Sequence, residues 1–395
     1  MNNNDLRYDL RGVSASKDEV HQAIKKLDKG LFPNAFCKVI PDLVVGDPAY
    51  CNIMHADTAG TKTSLAYIYW RETGDISVWR GIVEDAIVMN LDDLGCIGCF
   101  DNIVLSSTIG RNKSIINAEV LSEIINYTQT FLNKLSEYGI GITLAGGETA
   151  DVGDIVRTVD VGYTAFCRMK RSDVIDLNIL PGDIIVGFSS SGQSTYEDRY
   201  NGGMGSNGLT SARHDVFSKK YAAKYPESFN PFIPDEVVYT GSKNLTDQIS
   251  IHGQMMDIGK LVLSPTRTYL PIIKPIIEAY RASIHGLIHC SGGGQTKVSK
   301  FMSKNIRIIK DNLFETPPLF SLIQDESGLS HREMYQVFNM GHRLECYVPD
   351  IQVAEDIIKI SESFGVDAKI IGRVESSTNP AIVIKTNNTE IEYTY

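Results

Sequence analysis

The sequence predicts a mixed α+β protein of two domains, each a mixed sheet packed with helices. Three observations support this. The length of 395 residues exceeds one ordinary core. Strand-like and helix-like segments follow one another in similar order in both halves. A polar stretch from Lys170 to Pro181, closed by Pro181-Gly182, separates the halves, so domains of residues 1–170 and 171–395 are expected. At 43% apolar and 22% charged residues the composition is that of a globular chain. No apolar run is long enough to span a bilayer, and the opening MNNNDLRYDL lacks the basic and apolar regions of a signal peptide. A cytoplasmic location without a membrane partner is therefore expected. The formal charge of −10 leaves no basic stripe for nucleic acid. Seven scattered cysteines read as reduced thiols, and Cys96 and Cys99, although spaced as CxxC, have no second ligand pair beside them.

Taken in order, Lys17 to Leu27 reads as a helix with Lys25, Lys26 and Lys29 near its end. Cations there suit the helix dipole, or a mobile arm carries a lysine to a phosphate. Ile53 to Lys62, IMHADTAGTK, is a strand delivering Asp57 and Lys62 to one small-residue turn. Gly60 and Ala59 let backbone N–H groups approach an anion, Lys62 adds a charge, and Asp57 offers an oxygen to Mg²⁺. The same pattern also serves as an ordinary polar strand-to-helix turn. Val78 to Leu94 reads as a helix with Asp92 and Asp93 among apolar neighbours, where carboxylates commonly meet a cation. A strand is expected over Asp101 to Thr108. The spacing of Ile116, Val120, Ile124, Phe131 and Leu135 predicts a helix stopped at Gly139. In ITLAGGETAD, Gly146 and Gly147 clear space and Glu148 supplies a hard oxygen donor, or the segment is a plain strand-end turn. Val156 to Met169 alternates as a strand.

The second half opens with a strand, Asp183 to Ser189. The run from Gln193 to Gly208 is too long for an ordinary connection and is functional or mobile. Leu270 to Ala282 is helical and Ile284 to Cys290 is a strand leading into SGGGQTK. That turn is a second anion site near Lys297, or a flexible corner. A helix over Ile351 to Phe364 and strands over Lys369 to Val374 and Ala381 to Ile384 close the chain.

In this order the motifs resemble those of the aminoimidazole ribonucleotide synthetases, the phosphoribosylformylglycinamidine cyclo-ligases, over almost the full length. DTAGTK at 57–62 resembles DGVGTK, DDL at 92–94 stands where NDL is usual, and GGETAD at 146–151 is similar to GGETAE. GSNGL at 205–209 resembles HSNGY, SPTRTY at 264–269 APTRIY, HCSGGG at 289–294 HLTGGG, and EMYQVFNMG at 333–341 EMYRTFNMG. The resemblance implies ATP-dependent closure of formylglycinamidine ribonucleotide to aminoimidazole ribonucleotide, with ADP and phosphate released. It further implies Asp57, Asp93 and Glu148 on Mg²⁺, and ATP phosphates at Asp57, Gly60, Thr61, Lys62, Gly146 and Gly147. Lys26 (or Lys25) would reach over the reacting centre, with Ser206, Asn207, Gly292, Gly293 and Gly294 on the ribonucleotide. A homodimer is implied, its first domains pairing their sheets into an intersubunit β-barrel. Two departures stand out. The family's histidine before SNG is Gly205, about a dozen residues being inserted ahead of it, so a proton shuttle would come from elsewhere, His214 being nearest in sequence. The family's LDY reads Leu105-Ser106-Ser107. These departures leave room for another superfamily kinase or synthetase, or for a silent nucleotide binder.

Overall fold

A computed structural model of the protein describes residues 7–13, 22–386 and 389–395. The expected helix over Lys17 to Leu27 begins outside these residues, and 22–24 is its only described helical part. The first half holds β1 (Val39–Pro41), β2 (Tyr50–Thr58), β3 (Ile103–Arg111), β4 (Ile142–Asp151) and β5 (Val159–Lys170) in one sheet of order β1-β2-β5-β3-β4. Only the β3–β4 pair is parallel. Helices Val78–Cys96 and Ala118–Ser136 cover one face. Their apolar stripes bury Ile82, Ile87, Leu91, Val120, Ile124 and Leu135. The second helix starts at Asn117, whose side chain accepts from the Val120 N–H.

The opposite face of this sheet is exposed at Met54 and Val104. β1 and β4 are its two unjoined edges, and neither sheet closes on itself. The expected β-barrel is therefore corrected to two open mixed sheets.

The second sheet contains seven strands in the order β14-β13-β10-β12-β6-β11-β9. These are β6 (Ile184–Ser189), β9 (Gly286–His289), β10 (Ile306–Lys310), β11 (His342–Val348), β12 (Ala368–Ser376), β13 (Ala381–Lys385) and β14 (Glu390–Thr394), while β7 (Gln248–Ile251) and β8 (Gln254–Asp257) form a separate hairpin. Helices Leu270–Tyr280 and Ile351–Ser363 pack together on this half. The 193–208 run is held in place: Glu197 pairs with Arg267 (2.6 Å), Asn201 Nδ2 donates to the Pro265 carbonyl (2.9 Å) and Asn339 Nδ2 to that of Gly203 (2.7 Å).

Candidate active site

β2 alternates, so Ile53, His55 and Asp57 face the helices while Met54, Ala56 and Thr58 face outward. His55 thereby meets helix Val78–Cys96. Asn90 Nδ2 donates to the carbonyls of Ala86 (2.9 Å) and Tyr163 (3.1 Å), which fixes its Oδ1 as the acceptor 3.0 Å from His55 Nδ1. His55 Nε2 then lies 3.3 Å from Asp93 Oδ2. The other Asp93 oxygen is 2.7 Å from Nδ1 of His289, at the end of β9, and the Cys37 thiol lies 3.3 Å from the Asp93 carbonyl. Burial works to raise the Asp93 carboxyl, but the bonds from His289 and His55 outweigh it and hold the group well below the usual carboxylate range. Burial, with the Asp93 charge adding to it, drives the Cys37 thiol well up.

His289 is fully buried. Its Nδ1–H serves the carboxylate, so Nε2 carries the lone pair, and that atom has no hydrogen-bond partner among the described residues. Directly after it comes the glycine turn. Gly293 has φ +99° and Gly294 φ +49°; a side chain at 294 would collide with the carbonyls of Tyr335 and Phe338, so only glycine fits there. Asn207 Nδ2 stands 3.5 Å from where a Gly292 side chain would begin, which brings the 205–209 and 291–297 loops together. Ser206 Oγ lies 3.5 Å from Thr266 Oγ1, and Lys297 Nζ lies 5.3 Å from the Phe36 ring centroid.

Residues 40–169 match the AIR synthase related protein N-terminal domain and residues 234–385 its C-terminal domain, together most of the chain. The chain belongs to the AIR synthase related family.

Relatives of this family member include the phosphoribosylformylglycinamidine cyclo-ligase of Methanococcus vannielii, 29% identical over 387 residues, covering 96% of this chain and 92% of that one. That of Methanocaldococcus jannaschii is 29% identical over 332 residues, covering 83% and 79%. Among solved structures, Thermotoga maritima PurL complexed with FGAR has a TM-score of 0.56 at 14% identity, over 100% of this chain and 53% of that one. A chain of the HypE–HypF complex has a TM-score of 0.54 at 15% identity, over 97% and 99%. These two likenesses concern the fold.

Within this chain the expected site residues separate into groups. Asp93, Ser206, Asn207 and Gly292 to Gly294 line one seam between the two sheets, with His55, His289 and Cys37. The three carboxylates do not gather within one chain. Asp57 stands in register with Tyr163, Ser107 and Gly147, whereas Glu148 stands one row on, with Thr108, Gly162 and Thr58. The two are three strands apart, about 14 Å, and on opposite faces. Gly146, Gly147 and Glu148 are exposed on the edge strand β4. Asp93 has imidazole nitrogens beside both of its oxygens, a setting that does not suit Mg²⁺, so its Mg²⁺ role is corrected to an anchor for two imidazoles. Asp57 fits a hard cation better: it sits at the strand end beside the Gly60 turn, where φ is +62°, and its charge helps raise the half-buried Asp160 nearby, after burial itself.

Lys62 also departs from expectation. Its side chain is 0% exposed, and Nζ donates to Asp85 Oδ1 (2.9 Å) and to the carbonyls of Ser264 (2.5 Å) and Gly205 (3.2 Å). Thr61 Oγ1 faces Thr210 Oγ1 at 2.7 Å. The ammonium thus ties the phosphate-type turn to the second half. Lys25 and Lys26 are exposed. His214 is buried against Tyr239, its Nδ1 accepting the Tyr239 N–H at 3.2 Å, and burial holds it well below its ordinary value. Packed against Tyr239 and Phe229, the ring is a core histidine on the Leu209–Val216 helix, which corrects its expected role as a shuttle. At the departure, Gly205 has φ +67°, and a Cβ there would stand 2.6 Å from Arg343 Nη1. Arg343 is 3% exposed and donates to the Arg267 carbonyl. The guanidinium occupies the space that a side chain at 205 would need.

Sequence reasoning missed His55, Cys37 and His289, although it singles out Asp93, which meets both imidazoles. The signal for His289 was its place immediately before a glycine turn. His55 and Cys37 gave none, since each sits in an apolar-looking run.

Proposed function

We propose that this chain closes formylglycinamidine ribonucleotide to aminoimidazole ribonucleotide, using ATP and releasing ADP and phosphate. The observation that carries the reading is the acceptor Nε2 of His289, oriented through Asp93 and set at the foot of the Gly292 to Gly294 turn. ATP phosphorylates the amide oxygen, which otherwise leaves poorly. The neighbouring amidine nitrogen then forms the new C–N bond as the C–O bond to phosphate breaks, and its proton passes to His289 Nε2. Asp93 holds the ring in the required tautomer and stabilises the imidazolium that results. The glycine turn and Asn207 position the ribonucleotide, with Lys297 close to its phosphate. Asp57 would hold Mg²⁺ beside the 57–62 turn, and that ion would neutralise charge on the transferring phosphoryl group. We place the protein in the cytoplasm as a homodimer, with ATP and the ribonucleotide as its ligands and without a nucleic-acid or membrane partner. Among the described residues no helix is long and apolar enough to cross a membrane.

The test is purified protein with ATP, Mg²⁺ and formylglycinamidine ribonucleotide, following aminoimidazole product and ADP together. Equal yields are expected. ADP release without the aminoimidazole would turn the reading toward another kinase or synthetase of the superfamily. The glycine at 205, where the family carries histidine, favours the silent-binder alternative, which predicts ATP binding with no turnover of any amidine.

A further inference from the structure

We propose that Cys37, His55 and Asp93 form a binding site for a borderline-soft divalent cation of the zinc type, separate from the Mg²⁺ that accompanies ATP. One ligand atom from each lies within 4.8 Å of the other two, and Cys37 and Asp93 are buried while His55 is half-buried.

The decisive feature is the direction of the His55 lone pair. Asn90 is held by two carbonyl acceptors on its amide nitrogen, so its oxygen can only accept. His55 must donate from Nδ1, and in the neutral ring Nε2 then presents a lone pair. What it faces, 3.3 Å away, is an Asp93 carboxylate oxygen, itself an acceptor. Two acceptors at hydrogen-bond distance need a positive centre between them: a proton on Nε2, which makes His55 an imidazolium that donates to Asp93, or a metal ion that takes its place. A tetrahedral metal bonded at about 2.0–2.1 Å to nitrogen and oxygen separates those atoms by about 3.3 Å, the spacing found here.

The donor set selects the ion. Sulfur, imidazole nitrogen and one carboxylate oxygen suit Zn²⁺ and its neighbours, whereas Mg²⁺ and Ca²⁺ take oxygen. Charge also balances: a divalent ion displaces the Cys37 thiol proton to solvent, and thiolate plus carboxylate then offset its two charges. The outer contacts are those that orient metal ligands elsewhere, since His55 gives its other N–H to Asn90 and the second Asp93 oxygen accepts from His289. Three protein ligands leave one position open. The bound ion would join the 31–38 loop to β2 and to helix Val78–Cys96.

The experiment uses the full chain, stripped with a chelator and titrated with Co²⁺. We expect one equivalent to bind with thiolate-to-cobalt charge-transfer absorption, and Zn²⁺ to bleach it. Cys37→Ser should abolish the absorption, while Cys346→Ser, in the second sheet, should leave it unchanged. Asn90→Ala, which frees the His55 ring, should weaken Co²⁺ binding about 10- to 100-fold. Unaltered absorption in Cys37→Ser would overturn the proposal. So would a stripped protein that takes up no Co²⁺ and whose ¹⁵N spectra show His55 doubly protonated at neutral pH, because a proton would then fill the gap. Both readouts are independent of cyclisation, so their failure is distinguishable from failure of the proposed function.

Discussion

Two lysines, Lys62 and Lys310, are completely buried, and each meets a buried carboxylate. Their surroundings differ. Lys310, on β10, meets Glu345 of β11 and donates to the carbonyl (2.8 Å) and side chain (3.1 Å) of Gln295, so all its partners lie in the second half. Glu345 is also bonded by His342 (3.0 Å) and Tyr347 (2.7 Å). Lys62 divides its bonds between Asp85 of the first half and carbonyls of the second, while Asp85 accepts from the Thr266 N–H (2.8 Å) and hydroxyl (2.6 Å). One pair fastens a sheet internally, and the other fastens two halves across the seam that holds the candidate site. The same chemistry therefore serves stability in one place and alignment in the other.

The largest expected effect separates these roles. Lys310→Met leaves Glu345 charged and enclosed, and should lower unfolding free energy by about 3–5 kcal/mol in urea titrations, with near-normal turnover per folded molecule. Lys62→Met should cost less, about 2–3 kcal/mol, because Thr266 still satisfies Asp85. Its turnover should fall further than its stability, since Gly205 and Ser264 lose their tether. Loss of ATP affinity with unchanged unfolding would instead make Lys62 a phosphate ligand and end the comparison.

A pH series sharpens it. Although burial opposes ionisation, the Lys310 charge and the His342 bond bring the Glu345 carboxyl down to about 2 from its ordinary 4.5. A carboxyl depressed on folding stabilises fully above its unfolded value, and that contribution disappears as pH falls through the folded one. Stability should therefore drop between about pH 4.5 and 2. Glu345→Gln should flatten this limb, and an unchanged slope would remove the pair from acid unfolding. The smallest effect is expected at Gly205→Ala. The positive φ and the displaced Arg343 tip should cost about 1–2 kcal/mol, read as a shift in urea midpoint.

The long, strongly periodic elements were legible in sequence. The stripe from Ile116 to Leu135 became helix Ala118–Ser136, and Gly139 has the left-handed φ of +73° expected after a helix. Short segments were not. Ile306–Lys310 is only five residues, IRIIK, and its place between β12 and β13 depends on partners more than sixty positions away. The site divides similarly. Glycine turns announce themselves because backbone conformation is local, so 205–209 and 291–294 were found. Whether a charged side chain ends at a ligand or inside the protein is decided by packing. Lys62 looked like a phosphate ligand because Asp85 and Ser264 cannot be placed beside it from sequence. His214 was chosen for nearness along the chain, which says nothing of the aromatic wall around it.

Gly205 and Arg343 share one volume. With the guanidinium tip 2.6 Å from where a side chain at 205 would begin, a larger residue there requires the Arg343 tip to move. Changes at the two positions are therefore expected to be energetically coupled, neither acting independently of the other.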